Sequence, residues 1–145
     1  MKYIRLASDL HLDQDYNKFW STRVYDPSEK IDCPLDMCWV PKVMDEDYET
    51  CLVLAGDLWA GRRFITKQYI NGYSWIQRVA SRFENVIVVL GNHDYWGGLD
   101  LHKEHLICRE HLEMQEITNV TILENNILKI GNVKFLGGNM WTNYN

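Results

Sequence analysis

Two runs in this chain, "CLVLAG" (Cys51 to Gly56) and "NVIVVLG" (Asn85 to Gly91), are short, rich in β-branched residues and almost continuously apolar. A strand with one wet face alternates polar and apolar residues, whereas a continuous run suits a strand covered on both faces. These two therefore read as the central layer of an α/β fold. Between them, Tyr69, Tyr73, Ile76, Val79, Ala80 and Phe83 recur at helical spacing and form one apolar stripe. Strand, helix and strand at this spacing predict a right-handed crossover between parallel neighbours. "YIRLAS" (Tyr3 to Ser8) reads as an earlier strand, and a second helix is predicted over about Leu99 to Met114.

The C-terminal third changes character. "VTIL", "NILKI" and "VKFLGG" read as short strands, and Gly131-Asn132 between the last two is a hairpin signal. Residues 14–48 are taken as a loop-rich insertion or cap, and Pro27, Pro34 and Pro41 fall together within it. Asp26 to Pro41 is mainly loop there, with Trp20 and Trp39 packed beneath it. The 145 residues suffice for one domain, taken here as 1–145. Apolar residues make up 46% and charged residues 24%, which suits a folded chain rather than a disordered one.

The net charge is -5 and no basic run occurs. That balance argues against long nucleic acid, whose binding needs clustered Lys and Arg, but leaves a nucleotide or a strand end open. "MKYIRLASDLHLD" is interrupted by Lys2 and Arg5 and does not read as a signal peptide, and no run has the length of a membrane span. A cytoplasmic location is expected, with Cys33, Cys38, Cys51 and Cys108 as free thiols and Cys51 in the core.

Each of the three predicted strands ends in groups that bind hard or borderline metals. The first runs into "SDLH" with Asp9 and His11, the second into "GDLW" with Asp57, and the third into "GNHD" with Asn92, His93 and Asp94. In open α/β sheets, ligands gather at the carboxyl ends of the strands. Asp9 and His11 are two apart, so an extended chain would send both side chains to one face. Gly56 and Gly91 permit sharp exits. Carboxylate, imidazole and amide suit manganese, iron or zinc better than thiolate-seeking ions. A carboxylate such as Asp57 can bridge two ions, and a pair about 3.5–4 Å apart can clamp both oxygens of a phosphoryl displacement. "GNHD" is the most specific of the three endings, because a turn needs only its glycine and asparagine.

"SDLHLD", "LVLAGDLW" and "VIVVLGNHDYW" resemble the first three motifs of the calcineurin-like metallophosphoesterases, and "VTILENNILKIGNVKFLGGNMWTN" is similar to the strand region that follows them in small bacterial and phage members. The resemblance implies an α/β/β/α sandwich of mixed sheets flanked by helices, of which this chain would carry the N-terminal half. It implies two divalent ions, manganese first, with iron, zinc, nickel and magnesium as alternatives. Asp9 and His11 would bind the first ion, Asp57 would bridge, and Asn92 would bind the second. His93 would protonate the leaving oxygen or stabilise transition-state charge, and Asp94 would orient His93. The nucleophile would be a metal-bound hydroxide attacking a phosphomonoester or phosphodiester.

The family's pattern continues with another metal-binding histidine and a Gly-His-x-His block. Here the last histidine is His111, so the second ion would keep only Asp57 and Asn92. His105 shares a predicted stripe with Leu101, Cys108 and Leu112, and His102 and His111 are expected to face solvent. The final strand is expected to expose an edge and an apolar face, to be covered by a partner chain or a second copy. Arg62 and Arg63 are candidates for holding a substrate phosphate, against the reading of a solvated loop. Tyr95 and Trp96 are candidates for a substrate wall, against the reading of core packing; Trp141 reads as core. The alternatives to an enzyme are a non-catalytic binding or scaffold subunit and an inactive fragment.

Overall fold

The computed structural model describes residues 1–12, 41–59, 70–96 and 100–139, and side chains within these except those of residues 70–74. Arg62, Arg63, Trp141, Cys33, Cys38 and residues 14–40 of the expected cap lie outside the described residues.

The elements run β1 (Tyr3–Ala7), β2 (Thr50–Ala55), α1 (Ile70–Ala80), β3 (Asn85–Val89), α2 (Glu104–Met114), β4 (Val120–Ile122), β5 (Asn126–Ile130) and β6 (Val133–Gly137). The first four strands form one sheet in sequence order, and every pairing in it is parallel. β5 and β6 form a separate antiparallel hairpin. The expected mixed sheets thus resolve, among the described residues, into one parallel and one antiparallel sheet. β4 belongs to the parallel sheet, so the change of character begins only after Ile122.

The two-residue strand period distributes the core. Leu52, Leu54, Val86 and Val88 point to one face, where they pack with Trp75, Ile76 and Val79 of α1 and Cys108 and Leu112 of α2. Cys51 and Ile87 point to the other, with Val53 and Val89, against Leu128, Ile130 and Phe135 of the hairpin. The layers are therefore helices, parallel sheet, antiparallel hairpin. The continuous apolar runs of β2 and β3 are explained by this double coverage.

Both helices depart in detail from the expected faces. Trp75 is fully buried and lies four residues before Val79, so the α1 stripe is one column wider than predicted. α2 starts at Glu104 rather than near Leu99. Asp100 accepts from the His102 N–H through its side chain and from Lys103 and Glu104 through its carbonyl, closing a turn ahead of the helix. The buried column of α2 is Glu104, Cys108 and Leu112. His105 is half-buried beside that column rather than in it, Leu101 is exposed, His111 is half-buried and His102 is exposed.

At the amino ends of the strands, Asp47 is buried between two guanidinium groups. It accepts from Arg5 at 2.7 Å and from Arg82, joining β1 to the end of α1. At the hairpin, Gly131 takes φ +58, the left-handed conformation that a two-residue turn between Ile130 and Val133 requires. Outward apolar side chains remain on the hairpin, with Leu136 77% exposed. They also remain on β1, with Leu6 76% exposed. No described helix is long and apolar enough to cross a membrane.

Candidate metal centre

The segments leaving β1 and β2 stay side by side after the strands end. Asp9, His11 and Leu12 donate their backbone N–H groups to the carbonyls of Gly56, Asp57 and Leu58 at 3.0, 3.0 and 2.9 Å. Along this stretch Asp9, His11 and Asp57 all adopt positive φ, at 53°, 43° and 54°. Positive φ is uncommon outside glycine; Asp and His enter it more readily than most residues, yet each still costs on the order of 1–2 kcal/mol. The other described non-glycine residues with positive φ, Glu116 and Asn125, lie in connections between elements.

This backbone corrects one expectation. Asp9 and His11 converge because both are left-handed, not because an extended strand alternates its side chains. The result is a compact cluster: one ligand atom from each of Asp9, His11 and Asp57 lies within 4.8 Å of the others. His11 Nε2 is 4.0 Å from Asp57 Oδ2. Asp9 is exposed and the other two are half-buried, so the cluster faces solvent on one side.

The exit from β3 packs against the same carboxylate. The His93 N–H donates to Asp57 Oδ1 at 2.8 Å. His93 is buried in the short 3-10 turn His93–Tyr95, its ring edge-on to His11 with centroids 4.7 Å apart. Trp96 lies 4.0 Å from the His93 ring on a tilted plane and is 60% exposed. Asn92 opens the turn; it is exposed, and its side chain makes no capping bond there. Tyr95 belongs to the helix-side core rather than to an open wall. Its hydroxyl accepts from Asn139 Nδ2 at 2.8 Å, and burial pushes the phenol well above its ordinary range.

Asp94 has a different place from the one expected. It is 1% exposed, and its bonds go to backbone amides. Oδ1 accepts from Leu58 at 3.1 Å and Trp59 at 2.9 Å, and Oδ2 accepts from Gly91 at 2.8 Å. Burial raises its carboxyl to about 6, and the nearby Asp57 adds to the rise, while the amide donors from Trp59, Gly91 and Leu58 oppose it. It is a strap between the exits of β2 and β3, not a partner of the imidazole. The linear sequence places Asp94 next to His93 and carries no signal for bonds to residues 35 and 36 positions away.

Three features of the described residues fit a divalent cation. Two carboxylates and an imidazole form a donor set for borderline metals. His11 Nδ1 is buried with no hydrogen-bond partner among the described residues. Gly91 makes the close approach possible, since a Cβ there would stand 2.2 Å from Asp57 Oδ1. Comparison of the chain with family models, curated proteins and solved structures finds no match.

Proposed function

We propose that this chain is a metal-dependent phosphoesterase of the calcineurin-like type, carrying the first half of that family's sandwich and hydrolysing a phosphomonoester or phosphodiester. The observation that carries the reading is the meeting of Asp9, His11 and Asp57 at the carboxyl ends of two parallel strands, with His93 from a third strand bonded to Asp57. A structural ion pair would need neither the left-handed backbone at all three positions nor an imidazole nitrogen that, like His11 Nδ1, has no partner among the described residues.

In this reading Asp9, His11 and Asp57 hold the first ion, and Asp57 and Asn92 contribute to a second. Bound divalent ions supply Lewis acidity and make water acidic enough to ionise near neutral pH. His93 is fixed by its backbone bond to Asp57 and by packing against Trp96 and His11. Its imidazole serves the leaving oxygen as proton donor. The exposed Leu6 and Leu136 leave apolar surface on β1 and on the hairpin that a partner chain or a second copy would cover.

The test is hydrolysis of an aryl phosphodiester and an aryl phosphomonoester with added manganese, alone and with any co-encoded partner. Metal-dependent turnover that Asp57→Asn abolishes is the expected result. Turnover indifferent to Asp57→Asn, or none in any combination, would leave a binding subunit as the better reading.

A further inference from the structure

The exits of β2 and β3 are tied by a reciprocal pair of carboxylates. Asp57, on the first exit, accepts the N–H of His93 on the second. Asp94, on the second exit, accepts the N–H groups of Leu58 and Trp59 on the first and of Gly91 on its own. Leu58 directly follows Asp57, so the peptide that Asp94 holds is the one that sets the direction of the Asp57 side chain. Gly91 is the residue whose backbone touches the Asp57 carboxylate. We propose that Asp94 is a positioning residue that sets Asp57 against His93 through backbone amides, rather than an acid–base partner of His93. This rests on the phosphoesterase reading for its consequence in metal binding, but not for the placement itself.

The physical case is one of alternatives. A carboxylate 1% exposed is stable only with donors on its oxygens, and its three donors among the described residues are amides of the two exits. An amide side chain at this position has one acceptor oxygen, and its NH2 group would face an N–H donor. Asp94→Asn therefore keeps the volume and breaks part of the strap, freeing the Asp57 peptide to rotate. Groups that orient a metal ligand change affinity by about 10–100-fold when removed.

The experiment compares the wild-type chain with Asp94→Asn by amide NMR and by calorimetric titration with manganese. The strap predicts that the Leu58, Trp59 and Gly91 amide resonances move, that the His93 amide moves with them, and that manganese affinity falls about 10–100-fold in folded protein. If the first three amides move while His93 and the affinity stay, Asp94 does not position Asp57 and the inference is overturned. If the wild type binds no manganese, the metal reading falls, while the His93 amide still decides the placement. Should Asp94→Asn not fold, amide exchange in the wild type decides: Leu58, Trp59 and Gly91 protected like β2 support the strap, and exchange at exposed-loop rates overturns it.

Discussion

Gly91 lies so close to Asp57 that a Cβ on it would stand 2.2 Å from Asp57 Oδ1 and 2.5 Å from the Asp57 nitrogen. Neither neighbour can give way, since one is backbone and the other is held by the His93 N–H. The glycine is needed for contact, and the contact is what brings the third strand's histidine to the second strand's carboxylate.

Gly91→Ala should therefore cost about 1–3 kcal/mol of stability by overpacking and should weaken manganese binding in the fraction that folds. Thermal unfolding and calorimetric titration check the two effects separately. An alanine variant with wild-type stability and wild-type affinity would contradict the close approach.

Manganese should raise the unfolding temperature of the wild type, because the Asp9–His11–Asp57 cluster exists only in the folded chain. At a free concentration about 100 times Kd the stabilisation is about 2.7 kcal/mol. Asp9→Asn and His11→Ala should remove most of the shift. An equal shift in these variants would place the ion elsewhere.

Two buried carboxylates give opposite pH dependences. Burial alone would raise the Asp47 carboxyl, but hydrogen bonds from Arg82, Met44 and Arg5 outweigh it and hold the group below its ordinary 3.8. Its stabilisation is present above pH 3.8 and is lost as pH falls through the lowered folded value. Asp94 is raised from 3.8 to about 6, so its contribution is fully present below 3.8 and is lost as pH rises toward 6. The span is worth on the order of 2–3 kcal/mol. Denaturant unfolding of metal-free protein between pH 3 and pH 7, wild type against Asp47→Asn and Asp94→Asn, should show each slope vanish in its own variant.

Trp75→Ala should cost about 3–5 kcal/mol, because a fully buried indole between α1 and the parallel sheet leaves a cavity. The folded variant should retain wild-type manganese affinity. Chemical denaturation and the same titration check both, and a loss below about 1 kcal/mol would mean that the site collapses without a cavity.

The sequence by itself determined the strands, the crossover helix and the hairpin, because each is encoded locally. β2 and β3 announce double coverage by their unbroken apolar runs, and Gly131 announces its turn by tolerating positive φ. It also singled out Asp9, His11, Asp57 and His93 as candidates for one site, since they interrupt apolar runs at points where a turn needs none of them. Only the tertiary structure decided how they meet. Left-handed backbone at Asp9, His11 and Asp57 is imposed by the paired exits of β1 and β2. The partners of Asp94 are amides from another strand, and Tyr95 and Trp96, adjacent in the chain, part into core and surface. Those outcomes depend on contacts between distant segments, which residue type and spacing do not record.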